Sequence, residues 1–216
     1  MSITNKIRQI TSSSSLTGLL YKDMLYFTSK PFILLYIAAV ILSLIPMMRT
    51  TAYDVIIAAV VLSFGADSTS RWTRTASYLP FSPADVVRAK YISTYGLLGA
   101  LSIVAQIMQL ILLFVTGDPE FGADMLTAVN AICYAVGITA LVIPVMLFFI
   151  KRSTMYNIVF VLVLILAISG NMTLSVLNDE FACYPELTLI ALVIAAIAVV
   201  VSYKVSKYIY SHSDKI

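Results

Sequence analysis

Long runs without a single charge constrain this chain more than any motif. Pro31–Met48, Tyr91–Gly117, Met125–Ile150, Ser153–Asn178 and Leu187–Tyr203 contain no Asp, Glu, Lys or Arg. About 20 predominantly apolar residues cross the ~30 Å hydrocarbon core of a bilayer as a helix, so each run is a candidate span. With 60% apolar and 12% charged residues in 216, the chain is far from the roughly quarter-charged composition of soluble domains. A sixth candidate, Val55–Ala66, has only twelve residues between Asp54 and Asp67. It crosses only if residues 52–54 lie at the interface or Asp54 faces protein. The sequence therefore predicts an all-α, polytopic membrane protein with six spans, at about 31–48, 52–66, 91–116, 125–150, 153–176 and 187–203.

Charge gives this layout a direction. On six spans, thirteen of the fourteen Lys and Arg residues fall on one side, and Arg49 alone falls on the other, with Asp118, Glu120, Asp124, Asp179, Glu180 and Glu186. Basic residues mark the cytoplasmic side, which predicts a plasma-membrane protein with both termini inside. The net charge of +3 then reports orientation, and no nucleic-acid partner is expected. Residues 1–30 form a cytoplasmic lead-in. Within it Leu16, Leu19, Leu20, Met24 and Phe27 recur at helical spacing, with Lys22, Asp23 and Lys30 off that stripe. This predicts an amphipathic helix along the inner interface. Residues 204–216 read as a cytoplasmic tail. In "SGNMTLSVLNDEFACYPE" (169–186), Gly170, Asn171, Asn178 and Pro185 predict an early break in the fifth helix and a partly re-entrant segment.

Several chemistries are excluded. The only histidine is His212, so no histidine-based triad or multi-histidine metal site can form, and no catalytic or metal residue is assigned. No GxxxxGK[ST] loop occurs, so the chain has no P-loop of its own. The apolar centres of the spans lack the ionisable groups that ion-coupled carriers keep there. What polarity they have is modest. Gly99, Ser102, Gln106 and Gln109 lie at i, i+3, i+7, i+10, on one face of the third span. Two readings of that face stand: a substrate path, or helix packing through small residues and amides. Pro144 removes the backbone bond to Ala140 and predicts a kink in the fourth span.

The longest interruption between spans is residues 67–91. In "FSPADVVRAKY", Ser82 can cap a helix, Pro83 suits its first position, and Asp85 completes a pattern resembling a capping box. Val86 and Val87 supply an apolar side, while Arg88 and Lys90 mark the return to the membrane. The expectation is a short, capped cytoplasmic helix held between two spans.

The segment "DSTSRWTRTASYLPFSPADVVRAKY" resembles the one that follows the second span in permease subunits of small, six-span type-2 ATP-binding-cassette (ABC) exporters. The matching positions are Asp67, Ser68 or Ser70, Trp72, Leu79-Pro80, Ser82 and Lys90-Tyr91. "LLYKDMLYF" (19–27) resembles the start of that family, with Lys22-Asp23 matching a common Lys-Asp pair. Pro83 departs from the basic or polar residue of many relatives. The resemblance spans the chain in length and span count, but its motifs are confined to these two stretches. It implies a separate ABC ATPase subunit that binds ATP and Mg, so the chain itself binds no cofactor. It also implies a second permease chain, identical or paralogous, membrane lipid around both, and export of hydrophobic or amphipathic cargo such as peptides or antimicrobial compounds. The coupling helix it implies comprises Leu79, Pro80, Ser82, Pro83, Asp85, Val86, Arg88 and Lys90. Two alternatives stand beside it: the substrate-binding membrane component of a vitamin-uptake system, and a non-catalytic immunity or scaffold protein. Against the first, "FILLYIAAVILSLIPMM" lacks the Ala-x-x-x-Ala docking pattern expected in its first span.

Overall fold

The computed structural model describes residues 15–45, 49–69, 81–117, 121–149, 155, 157–170 and 185–212. Among them every regular element is an α-helix: α1 Ser15–Phe27, α2 Lys30–Leu44, α3 Arg49–Thr69, α4 Pro83–Thr116, α5 Phe121–Phe149, α6 Asn157–Gly170 and α7 Pro185–His212. Three helices are long and apolar enough to cross a membrane, with spans at Pro83–Thr116, Ala128–Phe149 and Glu186–His212. A fourth span results if α1 and α2 count together, although they bend by 69° where they meet. Among the described residues three to four spans are thus evident, and six were expected. The apolar parts of α3 (Thr51–Gly65) and of α6 are shorter.

Packing explains why α3 carries so short an apolar run. Tyr53, Ile57, Val60, Val61 and Phe64 are all buried, and Leu62 is its one exposed large apolar side chain. The helix lies inside the bundle against α2 and α5. Its ends meet protein, and protein can neutralise a carboxylate that hydrocarbon cannot. By contrast α2, α4, α6 and α7 each expose a row of large apolar residues, the surface a bilayer would cover. α5 packs most extensively on α7. The main core joins α3, α4 and α5 through residues such as Phe64, Val87, Ala135, Ile143 and Met146.

Two boundaries differ from expectation. Residues 83–90 are the first turns of α4, which continues without a break to Thr116 over 34 residues, so they are no separate helix. "RAK" looks like a loop by composition, yet Val86, Val87, Lys90, Tyr91, Thr94 and Leu98 continue one buried face, and no proline follows Pro83 in the helix. Similarly α7 runs on to His212, through most of the expected tail, because Ser202 and Ser206 stay buried and Tyr210 still packs on neighbours. A small cluster of Leu19, Val86 and Ala89, flanked by Leu16 and Tyr210, gathers α1, the start of α4 and the end of α7 at one end of the bundle.

The caps follow local chemistry. Asp85 donates its backbone N–H to Ser82 Oγ at 3.1 Å, and Ser82 Oγ donates to Asp85 Oδ2 at 2.7 Å. At the other end Gly117 adopts φ 70 and donates its N–H to Leu113 O, the left-handed stop that glycine accepts without strain. Of segment 169–186, residues 171–184 lie outside the described residues.

Candidate functional site

Four charged side chains from three helices meet beneath the base of α4. Lys22 Nζ lies 3.0 Å from Asp23 Oδ1 and 2.7 Å from Asp67 Oδ1. Lys90 Nζ lies 2.9 Å from Asp23 Oδ1 and 2.6 Å from Asp67 Oδ2. The side chains of Asp67, Asp23 and Lys90 are 1%, 2% and 5% exposed, and that of Lys22 14%. Among the described residues two cations meet two anions, and such pairing is the condition for keeping charge out of water. Ser93 Oγ adds a donor to Asp23 Oδ2 at 2.9 Å, and the Phe64 ring lies 5.2 Å from Lys90 Nζ. Burial pushes the Asp23 carboxyl up, but the Lys90 and Lys22 ammoniums outweigh it and hold the group below the usual carboxylate range. Lys22 sits below the usual lysine range, first because of burial and then because of the neighbouring Lys90 ammonium.

The sequence places these residues by simple means. On α1, Leu19, Asp23 and Phe27 are buried at i, i+4, i+8. Asp23 therefore lies on the inward stripe and not off it, while Met24, expected on the stripe, is 65% exposed. Asp67 belongs to the last turn of α3 rather than to a loop. Lys90 is correspondingly no surface contact: its ammonium ties α4 to α1 and α3.

Its neighbour Tyr91 ties α4 to the other side. The Tyr91 hydroxyl bonds Ser202 Oγ and, at 2.8 Å, Ser206 Oγ. Ser202 Oγ in turn donates to Ala140 O. Ala140 O is the carbonyl that Pro144 leaves without its helical donor. Because Ser202 has one proton and gives it to Ala140, Tyr91 donates to Ser202 and Ser206 donates to Tyr91. Tyr203 packs edge-on to Tyr91 with centroids 5.3 Å apart. Adjacent residues on α4 thus engage α1 and α3 through Lys90, and α5 and α7 through Tyr91.

The other expected site residues divide. Ser82, Pro83 and Asp85 shape the start of α4, Val86 is buried against α1, and Arg88 is exposed. Leu79 and Pro80 lie outside the described residues. On the third span, Gln109 Nε2 donates to Ser43 O at 3.1 Å, and Ser102 and Gln106 face the Tyr53 hydroxyl. Gly99 is half-buried. Through these contacts the stripe meets α2 and α3. Ser202 and Ser206 are the members of the site that no reading of the sequence singled out. The Lys22-Asp23 and Lys90-Tyr91 pairs and Asp67 were visible as family positions, but no local pattern showed that they meet.

Residues 18–211 match the family model described as ABC-2 family transporter protein. The chain belongs to this family. No curated protein and no solved structure matches it. As an ABC-2 family member the chain is a multi-pass membrane protein and the permease subunit of an ABC transporter. The family generally lacks an ATPase site of its own and works with an ABC ATPase partner. Within this permease, the four-charge network lies where both stretches of motif resemblance converge.

Proposed function

We propose that this permease exports hydrophobic or amphipathic cargo across the plasma membrane, with the ATPase subunit pressing on the cytoplasmic base of α4. The observation that carries the reading is the rigid anchorage of that base. A 34-residue helix is about 50 Å long, and a push at Pro83–Arg88 meets no joint before Thr116. Lys90 passes the displacement to α1 and α3, and Tyr91 passes it to α5 at Ala140 through Ser202. Arg88, exposed one turn above the capping residues, is the contact on the ATPase side. Both termini lie in the cytoplasm in this reading, in keeping with the clustering of α1 and the end of α7 beside the base of α4. Six crossings are completed by α3, shielded inside the bundle, and by α6. A second permease chain, identical or paralogous, closes the path, and its exposed apolar faces are of the kind α4 and α7 present.

The test is cargo transport by the reconstituted permease–ATPase complex carrying Asp85→Ala and Arg88→Ala. Transport is expected to fall at least tenfold while membrane insertion is kept. Because Asp85 also supports the helix cap, Arg88→Glu alone serves as the second variant, with the cap intact. Unchanged transport in both would overturn the proposal.

A further inference from the structure

An open cleft of about 530 Å³ lies under the elbow between α1 and α2, with α4 as its far wall. Met24 and Phe27 of α1, Ile33 and Tyr36 of α2, and Ile92 and Gly96 of α4 line it. The cleft is almost wholly apolar and opens on the side where Ile33 and Ile92 are exposed. From Ile92 to Ala100 its wall runs about 12 Å along α4. Gly96 leaves room in that wall, since a Cβ placed there meets no atom within 4 Å.

Two further features point to what fills it. The Tyr36 hydroxyl is buried, so even this residue presents carbon to the cleft, and the wall suits an acyl chain. Tyr36 lies six residues, about 9 Å, along α2 from Lys30. The lip is basic. Arg88 precedes Ile92 and Gly96 at i, i+4, i+8, Lys30 precedes Ile33 by three residues, and both cations are exposed. The acids that face this region are already engaged: Asp23 and Asp67 by Lys22 and Lys90, and Asp85 by Ser82.

We propose that this cleft holds one acyl chain of an anionic phospholipid from the leaflet at the base of α4. Its headgroup phosphate lies beside Lys30 at the lip of the cleft. Basic residues at a membrane surface attract anionic lipid by ordinary Coulomb forces, and the apolar walls exclude the headgroup itself. The lipid then bridges α1, α2 and α4 beside the charge network. The inference needs only that the chain sits in a bilayer, so it stands or falls apart from the coupling reading.

Native mass spectrometry of the full chain, purified in mild detergent with equal phosphatidylglycerol and phosphatidylcholine, tests it. Wild type is expected to retain one phosphatidylglycerol per chain with roughly tenfold or greater preference over phosphatidylcholine. Gly96→Phe and Ala100→Leu, which fill the cleft, are expected to lose it, and Gly96→Ala to keep it. Tyr36→Phe should keep it, and Lys30→Glu should remove the preference between headgroups. The thermal midpoint of each variant is measured alongside, and either filling variant that keeps the wild-type midpoint is sufficient for the test. Retention of phosphatidylglycerol by such a variant overturns the proposal. Equal retention of both lipids by wild type, or a co-purified peptide in place of lipid, overturns it equally.

Discussion

Replacing Lys90 by methionine removes one of two buried cations and keeps most of the side-chain volume. Among the described cations Asp23 and Asp67 would then keep Lys22, which lies 3.0 Å and 2.7 Å from them. An exposed ion pair contributes only about 0–1 kcal/mol, whereas stripping a partner from a buried one costs about 3–5 kcal/mol. Lys90 contacts two carboxylates that are each about 2% exposed or less, so the larger figure applies. For a chain of this size each kcal/mol moves the melting midpoint by about 2–4 °C, giving a loss of about 6–20 °C for Lys90→Met. Lys90→Met combined with Asp67→Asn restores neutrality, with Lys22 and Asp23 as the remaining pair. The double variant should recover more than half of the loss. Thermal unfolding of the detergent-purified protein reads both. A Lys90→Met midpoint within 2 °C of wild type, or a double variant that loses the sum of its singles, would refute a mutually neutralised buried network.

Pro144 of α5 offers a similar cycle. Ser202→Ala leaves Ala140 O without a donor and should cost about 1–3 kcal/mol, while adding Pro144→Ala returns a backbone donor to that carbonyl and should recover most of it in thermal unfolding. At the end of α6, Tyr134 Oη donates to Ala167 O at 2.6 Å, and a Cβ on Gly170 would meet that oxygen at 2.5 Å. Gly170→Ala should therefore displace the hydroxyl and lower the midpoint, and Tyr134→Phe in the same chain should relieve the clash. Asp23, held below its ordinary 3.8, contributes stability that is complete above that pH and lost as pH falls through the lower folded value. Thermal scans between pH 7 and pH 3 should show this acid loss in wild type and a smaller one in Asp23→Asn.

What the sequence showed and what it hid follow from the range of the interactions. Helices and their caps are local, so Ser82, Pro83 and Asp85 disclosed the start of α4 correctly. The charge network is not local: Lys22 and Asp67 are 45 residues apart and Asp23 and Lys90 are 67 apart. Read singly, each residue looked like a solvated charge at a membrane edge. Asp23 misled for the same reason, since an acid on an apolar stripe reads as an interruption until its cations are known. The brevity of α3's apolar run reflected an interior position, where neighbouring helices rather than lipid set the length. The continuous α4 was hidden by composition, because the polar "RAK" carries its buried face on one side only.

The central claim, that an ATPase grips the base of α4, is tested most directly by purifying the permease from its native membrane in mild detergent and assaying bound ATPase. The account predicts a P-loop ATPase that co-purifies with wild type, hydrolyses ATP, and is lost or reduced at least tenfold with Arg88→Glu. ATP hydrolysis by the chain stripped of any partner, or full retention of the ATPase by the Arg88→Glu variant, would contradict it.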